Sequence, residues 1–395
     1  MQNLNFIPMD ADQHYYEPDD CFSRHIEGKF RERVIHTIPS KEKGISMWAL
    51  AGKVLGGLPN NASDRSPKPG AFEELFAGKA TVQESEENLY SPKEIPSTWD
   101  KGSRLRLMDE QGVESVIMLP TVGLGVEHDF GNDAAALAAN FRSFNRWVEE
   151  DWGYGNDEKI YGVPMISLLD RDFAVAETKR VAGLGAKFVY LRTGPVSGRS
   201  PADPYFDPFW GTVVEHGLKV IFHIDFSDFN ELYAKHWSED PDRTVYEYSA
   251  LQTYFSILER PVSDTMAALL LHNLFGRFPE LQVVTIELGS SWIRPLLNTV
   301  DKAVKFSANG KWLGGQPREL PSETFAKHVW VSPYFEDDIP DLISLIGEDR
   351  VLFGSDYPHP EGLKEPLSYA NYLGGLPDPT VKKIMRGNME RLLAG

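Results

Sequence analysis

Apolar positions along the chain gather into short runs at 6–12, 114–119, 160–166, 188–191, 219–223, 282–287, 329–332 and 350–354. Runs of this length, rich in branched and aromatic side chains and bounded by turn formers, read as buried strands. Between most of them the period changes to one near 3.6. The clearest case is 134–152, where Leu137, Phe141, Phe144, Trp147 and Val148 fall on one stripe. Further helical patterns cover 99–111, 171–183, 204–217, 262–277, 290–306 and 337–346. Gly112, Gly217 and Gly347 each close such a pattern and precede a strand. Strand–helix alternation predicts a parallel sheet with crossover helices. Eight repeats predict an α/β fold closed as a (β/α)8 TIM barrel. An open doubly wound sheet is the alternative. It would usually carry a glycine-rich phosphate loop after the first strand, and DADQHYYEP contains no glycine.

Residues 40–97 break the alternation. They hold GGLPNN, DRSPKPG and QESEENLYSPKEIPS, with one short helical piece at 71–78. The expectation is a single barrel domain over 1–395, with 40–97 inserted after strand one as a lid or cap. Charge narrows the function. Lys plus Arg number 40 and Asp plus Glu 58, a net charge of −18. Such a surface repels phosphate backbones and anionic lipid, so neither nucleic acid nor a membrane is an expected partner. The single cysteine, Cys21, excludes an intrachain disulfide and a thiolate-built zinc site. No apolar run approaches the ~20 residues of a membrane span. The segment MQNLNFIPMDADQHYYEP has neither a basic n-region nor an apolar h-region. A soluble, cytoplasmic protein acting on a small molecule is expected.

The chemistry-bearing residues sit at strand ends. Asp12 and His14 are two apart, hence on one side of an extended strand, and form either a metal-ligand pair or a buried hydrogen bond. His223 ends strand five, as a ligand or a satisfied core histidine. Glu287 ends strand six and needs a salt-bridge partner or a metal. Asp356, in VLFGSDYPHPEG, ends strand eight as a catalytic acid or a turn cap. In a barrel all of them reach the same C-terminal mouth, where such enzymes place their active residues. Independent structural roles give no reason for that convergence. Nitrogen and oxygen donors without thiolate suit one divalent ion, Zn²⁺ first, with Mn²⁺ or Fe²⁺ as alternatives. Arg192, at the end of strand four, could pair a substrate carboxylate or form a salt bridge to one of the three acids. His128 and His236 lie in loops bordering the mouth and are candidate substrate contacts. Phe226, Phe229, Tyr233 and Trp237 would suit an aromatic substrate or pack their own loop. His359 could orient Asp356. His25, His36, His216, His272 and His328 carry no functional expectation.

DADQHYYEP, RLRLMDEQGVESVIMLPT, FNRWVEEDW, VVEHGLKVIFH, LFGRFPELQVV, VLFGSDYPHPEG and KIMRGNMERLL together resemble the amidohydrolase-related branch of the amidohydrolase superfamily. That branch includes aminocarboxymuconate-semialdehyde decarboxylase, γ-resorcylate-type decarboxylases and metal-dependent hydrolases. The resemblance runs nearly end to end. It implies a TIM barrel with one divalent metal at the mouth, ligated by Asp12, His14, His223 and Asp356, and is compatible with a homodimer. The match departs from the family pattern in two places. Strand one reads Asp-x-His where the family has His-x-His or Glu-x-His, and Glu287 stands where a histidine is common. Lys187 opens strand four and so is not given the carboxylated-lysine role of binuclear relatives.

Three functional readings follow. In the first, the protein is a hydrolase of a small aromatic or cyclic molecule, with Asp356 as general base to a metal-activated water and His223 and Glu287 completing the catalytic group. In the second, it is a non-oxidative decarboxylase in which protonated Asp356 delivers a proton to carbon. In the third, it is a metal-free ligand-binding barrel whose acids and histidines pair among themselves. Three carboxylates against one dication leave the site negative, which favours a neutral substrate and hence hydrolysis.

Overall fold

The computed structural model describes residues 4–40, 46–55, 66–73, 89–225, 229–243 and 247–395. Seven parallel strands form two sheets. Strands β1 (Met9–His14), β2 (Ser115–Leu119) and β3 (Ile160–Gly162) make the first, in that order. Strands β4 (Phe188–Tyr190), β5 (Lys219–His223), β6 (Val283–Ile286) and β7 (Val329–Ser332) make the second, also in sequence order. Isolated parallel bridges join them. Met165–Tyr190 links the continuation of β3 to β4, Val331–Val351 links β7 to the extended segment 351–357, and Gln13–Tyr357 links that segment to β1. Backbone bonds accompany these joints: Leu352 N to Val331 O, Ala11 N to Phe353 O and His14 N to Tyr357 O, each 2.8 Å. Eight strand positions therefore follow one another around a TIM barrel whose ladders are interrupted at three joints.

The strand limits differ from the hydropathy pattern for local reasons. β1 starts at Met9 rather than at 6 because Pro8 has no N–H to donate, and it runs on to His14. A bulge between Asp10 and Gln13 shifts its register against β2. The ladder of β3 stops at Gly162, and Pro164 contributes only its carbonyl, which accepts from Tyr190 N at 2.9 Å. Segment 351–357 bonds alternately to both neighbours and turns at Asp356, whose φ is 56°.

Helices α1 (Lys101–Gln111), α2 (Ala134–Asp151), α3 (Arg171–Gly183), α4 (Asp207–Glu215), α5 (Arg260–Leu271), α6 (Ile293–Phe306) and α7 (Ile339–Ile346) follow the strands. Aspartates 100, 133, 170 and 338 cap four of them, each accepting from the backbone N–H three residues on. The pattern at 262–277 is broken at Asn273, whose φ of 53° separates α5 from the turn Leu274–Arg277. That at 204–217 opens as a 3-10 turn, Pro204–Phe206, before α4. The stripe predicted on α2 is buried throughout. Its Trp147 meets the ring of Tyr15 edge-on at 5.0 Å, while Trp152 stacks on the other side at 5.4 Å. Burial of each large apolar side chain is worth roughly 1.5–3 kcal/mol. This packing anchors the end of β1, one residue beyond His14.

Ahead of α1, Ile35–Pro39 pairs with Ser46–Leu50, which pairs with Lys53–Val54, and Ser66–Pro67 pairs with Leu89–Tyr90, all antiparallel. This irregular region thus includes a hairpin that begins before residue 40. Gly70 N and Phe72 N donate to the carbonyls of His359 (3.3 Å) and Pro360 (2.7 Å), so residues 70–72 dock beside the end of segment 351–357. Of the helical piece expected at 71–78, residues 74–78 lie outside the described residues. Among the described residues no helix is long and apolar enough to cross a membrane.

Candidate metal centre

Six side chains meet at the C-terminal ends of the strands. Asp12 and His14 come from β1, His223 from the end of β5, Glu287 from the residue after β6, and Asp356 and His359 from segment 351–357 and its turn. Every one is at most 9% exposed. His14 Nε2 lies 3.2 Å from Asp12 Oδ1, 3.4 Å from Asp356 Oδ1 and 3.6 Å from Glu287 Oε2. His223 Nε2 lies 3.1 Å from Glu287 Oε2 and 3.8 Å from Asp12 Oδ1. Two overlapping groups each bring four donor atoms within 4.8 Å of one another: Asp12, His14, His223 and Glu287, and His14, Glu287, Asp356 and His359. Glu287 therefore joins the first three residues in one group, and Asp356 belongs to the adjoining one.

The chemistry of the donor set fits a cation. His14 Nδ1 lies 2.8 Å from Pro120 O and His223 Nδ1 lies 3.0 Å from Ile224 O. A carbonyl can only accept, so each Nδ1 carries hydrogen and each neutral ring turns an Nε2 lone pair inward. Both Nε2 atoms are buried without a hydrogen-bond partner, as are Asp12 Oδ1, Glu287 Oε2 and Asp356 Oδ1. Lone pairs converging in a dry site repel unless protons or a cation lie between them. Protons are the metal-free answer. Burial opposes charge on His223, but Glu287 and Asp12 outweigh it and push the imidazole up to about 10. His14 is raised too, its burial outweighed by Asp12 and Glu287. Glu287, although buried, is held well below the usual carboxylate range by His223.

Asp356 and His359 form a separate pair. Thr121 donates its hydroxyl proton to Tyr15 O at 2.7 Å, so at 3.0 Å it accepts from His359 Nε2–H. His359 Nδ1 then faces Asp356 Oδ1 with a lone pair at 2.7 Å, a close approach that is not aligned as a hydrogen bond. Burial, with Glu287, Glu361 and Asp12 nearby, raises Asp356 well above the usual carboxylate range. Burial and His14 push His359 well down. In the metal-free state Asp356 thus holds a proton beside a neutral imidazole that stacks on His14 at 4.0 Å. Both Glu287 and Asp356 adopt positive φ, 51° and 56°. For non-glycine residues this costs about 1–3 kcal/mol and clusters at functional sites. Tyr334 Oη to Glu287 O (3.1 Å) and Asp356 N to Asp12 O (2.8 Å) hold the two backbones.

A buried network behind the site was not read from the sequence. Asp10 accepts from Asp12 N (3.1 Å), Gln13 Nε2 (2.9 Å), Ser355 N (3.0 Å) and Ser355 Oγ (2.6 Å). Arg104, fully buried, donates to Gln13 Oε1 (2.9 Å), His14 O (2.6 Å) and Ser97 O (2.6 Å). Together they staple β1 to segment 351–357. Glu17 accepts from the N–H groups of Thr121, Val122 and Gly123. Glu361, two residues past His359, is pushed up to about 7 by burial and the charge of Glu287. The polar Asp10-x-Asp12-x-His14 alternation within a buried strand was the available signal for Asp10. Arg104→Met leaves Gln13 and two carbonyls without their donor, and is expected to cost about 3 kcal/mol in urea unfolding. A change within 0.5 kcal/mol would deny the network its structural role.

The remaining candidates are not among these six side chains. Arg192 pairs with Glu127 at 2.9 Å and donates to Pro195 O at 3.0 Å, so its carboxylate is neither Asp12, Glu287 nor Asp356. His128 and His236 are both exposed. Phe229 stacks on Tyr233 and Tyr233 on Phe255, so these rings pack their own loop, whereas Trp237 lies tilted against Phe255 and stays 64% exposed. Phe226 lies outside the described residues. Lys187 is exposed ahead of β4.

Comparison with known proteins gives the family and the fold. The family model described as amidohydrolase matches residues 61–394. An amidohydrolase from Mycobacterium avium subsp. paratuberculosis K-10 is 35% identical, with 99% of this chain and 98% of that chain covered and a TM-score of 0.90. A 5-carboxyvanillate decarboxylase from Novosphingobium aromaticivorans DSM 12444, solved with manganese and 3-methoxy-4-hydroxy-5-nitrobenzoic acid, is 15% identical at a TM-score of 0.61, covering 100% and 99%. A 2,6-dihydroxybenzoate decarboxylase from Rhizobium is 16% identical at 0.58, covering 98% of each chain. The last two show the shared fold.

Proposed function

The chain belongs to the amidohydrolase family, and from that premise we propose that it is a mononuclear metal-dependent hydrolase of a small, uncharged substrate. The observation that carries this reading is the charge of the mouth. Asp12, Glu287 and Asp356 surround two inward-facing imidazoles, with Glu361 beside them. Arg192, the cation nearest in role, is engaged by Glu127. An ester, amide, lactone or diketone suits that field better than a carboxylate does.

Asp12, His14, His223 and Glu287 would hold the cation. Carboxylates supply half of that set and Asp356 adds a third at its edge, which moves the expectation from zinc toward manganese, the ion in the 5-carboxyvanillate decarboxylase. A divalent ion bound there supplies a Lewis acid that polarises a carbonyl and lowers the pKa of water toward neutrality. The chain's own residues manage the proton. Opposite a dication the Asp356 carboxylate becomes the favoured form, accepts the proton of the attacking water, and returns it to the leaving group. His359, its Nε2–H held by Thr121, presents an Nδ1 lone pair that can accept from Asp356 once that acid has taken up the proton. The Nδ1–H bonds to Pro120 O and Ile224 O hold His14 and His223 in one tautomer. Residues 70–72 and the 359–360 turn wall one side of the mouth.

The proton held on Asp356 also favours a second reading, a carboxy-lyase in which that acid protonates a ring carbon before CO₂ departs. The fold is shared with decarboxylases. Turnover of ester, lactone and aryl carboxylate panels in ¹⁸O-water separates the two. Incorporation of ¹⁸O into product is expected. Release of CO₂ without it would replace hydrolysis by decarboxylation.

A further inference from the structure

The opposite end of the barrel carries a second polar cavity. β5 alternates Lys219, Ile221 and His223 on one face, so Lys219 projects at the N-terminal end of the row that His223 closes at the C-terminal end. Four steps along the strand separate them by about 13 Å. Lys219 is only 4% exposed, and among the described residues no carboxylate lies within ion-pair distance of it. Burial and Lys187 pull its ammonium down to about 8. A buried lysine without a counter-ion is uncommon, because desolvating a charge is costly.

Lys219 lines a cavity of 530 Å³ together with Gln282, Lys327, Trp330, Arg350 and Arg391. Gln282 Oε1 accepts from Trp330 Nε1 (2.9 Å) and Arg350 Nη1 (3.0 Å), which fixes that guanidinium over the Trp330 ring at 4.4 Å. Arg350 too has no carboxylate within ion-pair distance among the described residues, whereas Lys327 is paired with Glu319 and Arg391 with Asp349. With Lys327 and Arg391 so paired, Lys219 and Arg350 face the one remaining acid of the lining, Glu280, an excess of one positive charge. In a chain of net charge −18 that is a local reversal.

We propose that this N-terminal mouth binds a small dianionic oxyanion of the phosphate type, held by Lys219 and the fixed Arg350 guanidinium. Two cations without carboxylate partners in one cavity match a dianion, and a planar guanidinium together with an ammonium is a common means of holding one. The cavity exceeds the size of the anion, so either free phosphate or a phosphorylated small molecule fits. The site is separate from the metal centre and does not depend on the reaction there.

Calorimetric titration of the metal-loaded protein with inorganic phosphate and with ribose 5-phosphate, at ionic strength matched with chloride, tests the site. Saturable one-to-one binding is expected, weakened at least about tenfold in Lys219→Met and in Arg350→Lys. Tighter binding of ribose 5-phosphate assigns the site to an organic phosphate; equal binding assigns it to the free anion. Without phosphate, Lys219→Met should melt above the wild type, because an uncompensated buried charge is gone. Lys219→Gln gives a second polar variant if the methionine form folds poorly. Absence of saturable binding, or binding undiminished in every folded Lys219 variant, as adsorption at the metal centre would give, overturns the proposal.

Discussion

His223→Ala is expected to yield a folded protein that has lost its cation, with turnover reduced by more than about 10³-fold. Changing a residue that merely supports a metal ligand costs about 10–100-fold in affinity or activity, so removing a ligand costs more. The His223 ring is fixed by Ile224 O, and its Nε2 closes one side of a group whose other members come from different strands. The loss should be specific to the site, because β5 keeps its backbone pairing to both neighbours. Metal content by atomic emission and the melting temperature after exhaustive chelation separate the two effects. The wild type should lose stability on chelation and the variant should not. A His223→Ala protein retaining a full equivalent of metal would remove His223 from the ligand set.

Asp356→Asn should behave differently. Asparagine preserves shape and can still accept from its surroundings, but cannot carry a proton. General acid–base groups typically contribute about 10²–10⁴-fold, and kcat should fall by that amount. Because Glu287 rather than Asp356 completes the group with Asp12, His14 and His223, metal content should remain near the wild-type value. His359→Asn should be milder and should displace the pH profile, since His359 Nδ1 is the near neighbour of Asp356 Oδ1. Loss of the metal in Asp356→Asn would make Asp356 a ligand first and a proton carrier second.

The fold was legible wherever the hydrophobic period was unambiguous. The stripe on α2 and the β-rich runs of β2, β5, β6 and β7 carry it directly. Limits were misread where one backbone group decided them: Pro8 and Pro164, which cannot donate, Asn273 and Asp356, which adopt positive φ. Those are properties of single residues, and hydropathy averages over them. The residues gathered at the mouth were legible because five polar groups ended apolar strands. Two aspects were not. The grouping of Glu287 with Asp12, His14 and His223 depends on distances that a strand end does not specify. The supporting network joins Arg104 to Gln13 across 91 positions, and no local pattern marks such a pair. His128 and His236 rest on loop position alone, and both are exposed. Arg192 ends its strand as expected, but its partner Glu127 comes from the loop after β2.

Anomalous diffraction from crystals of the purified protein, recorded on either side of the manganese and zinc absorption edges, tests the central claim most directly. The account predicts one peak within bonding distance, about 2.0–2.2 Å, of Asp12, His14, His223 and Glu287. Asp356 should lie at its edge. Fully active crystals with no peak among these side chains, or with a cation bound by a different set of residues, would contradict it.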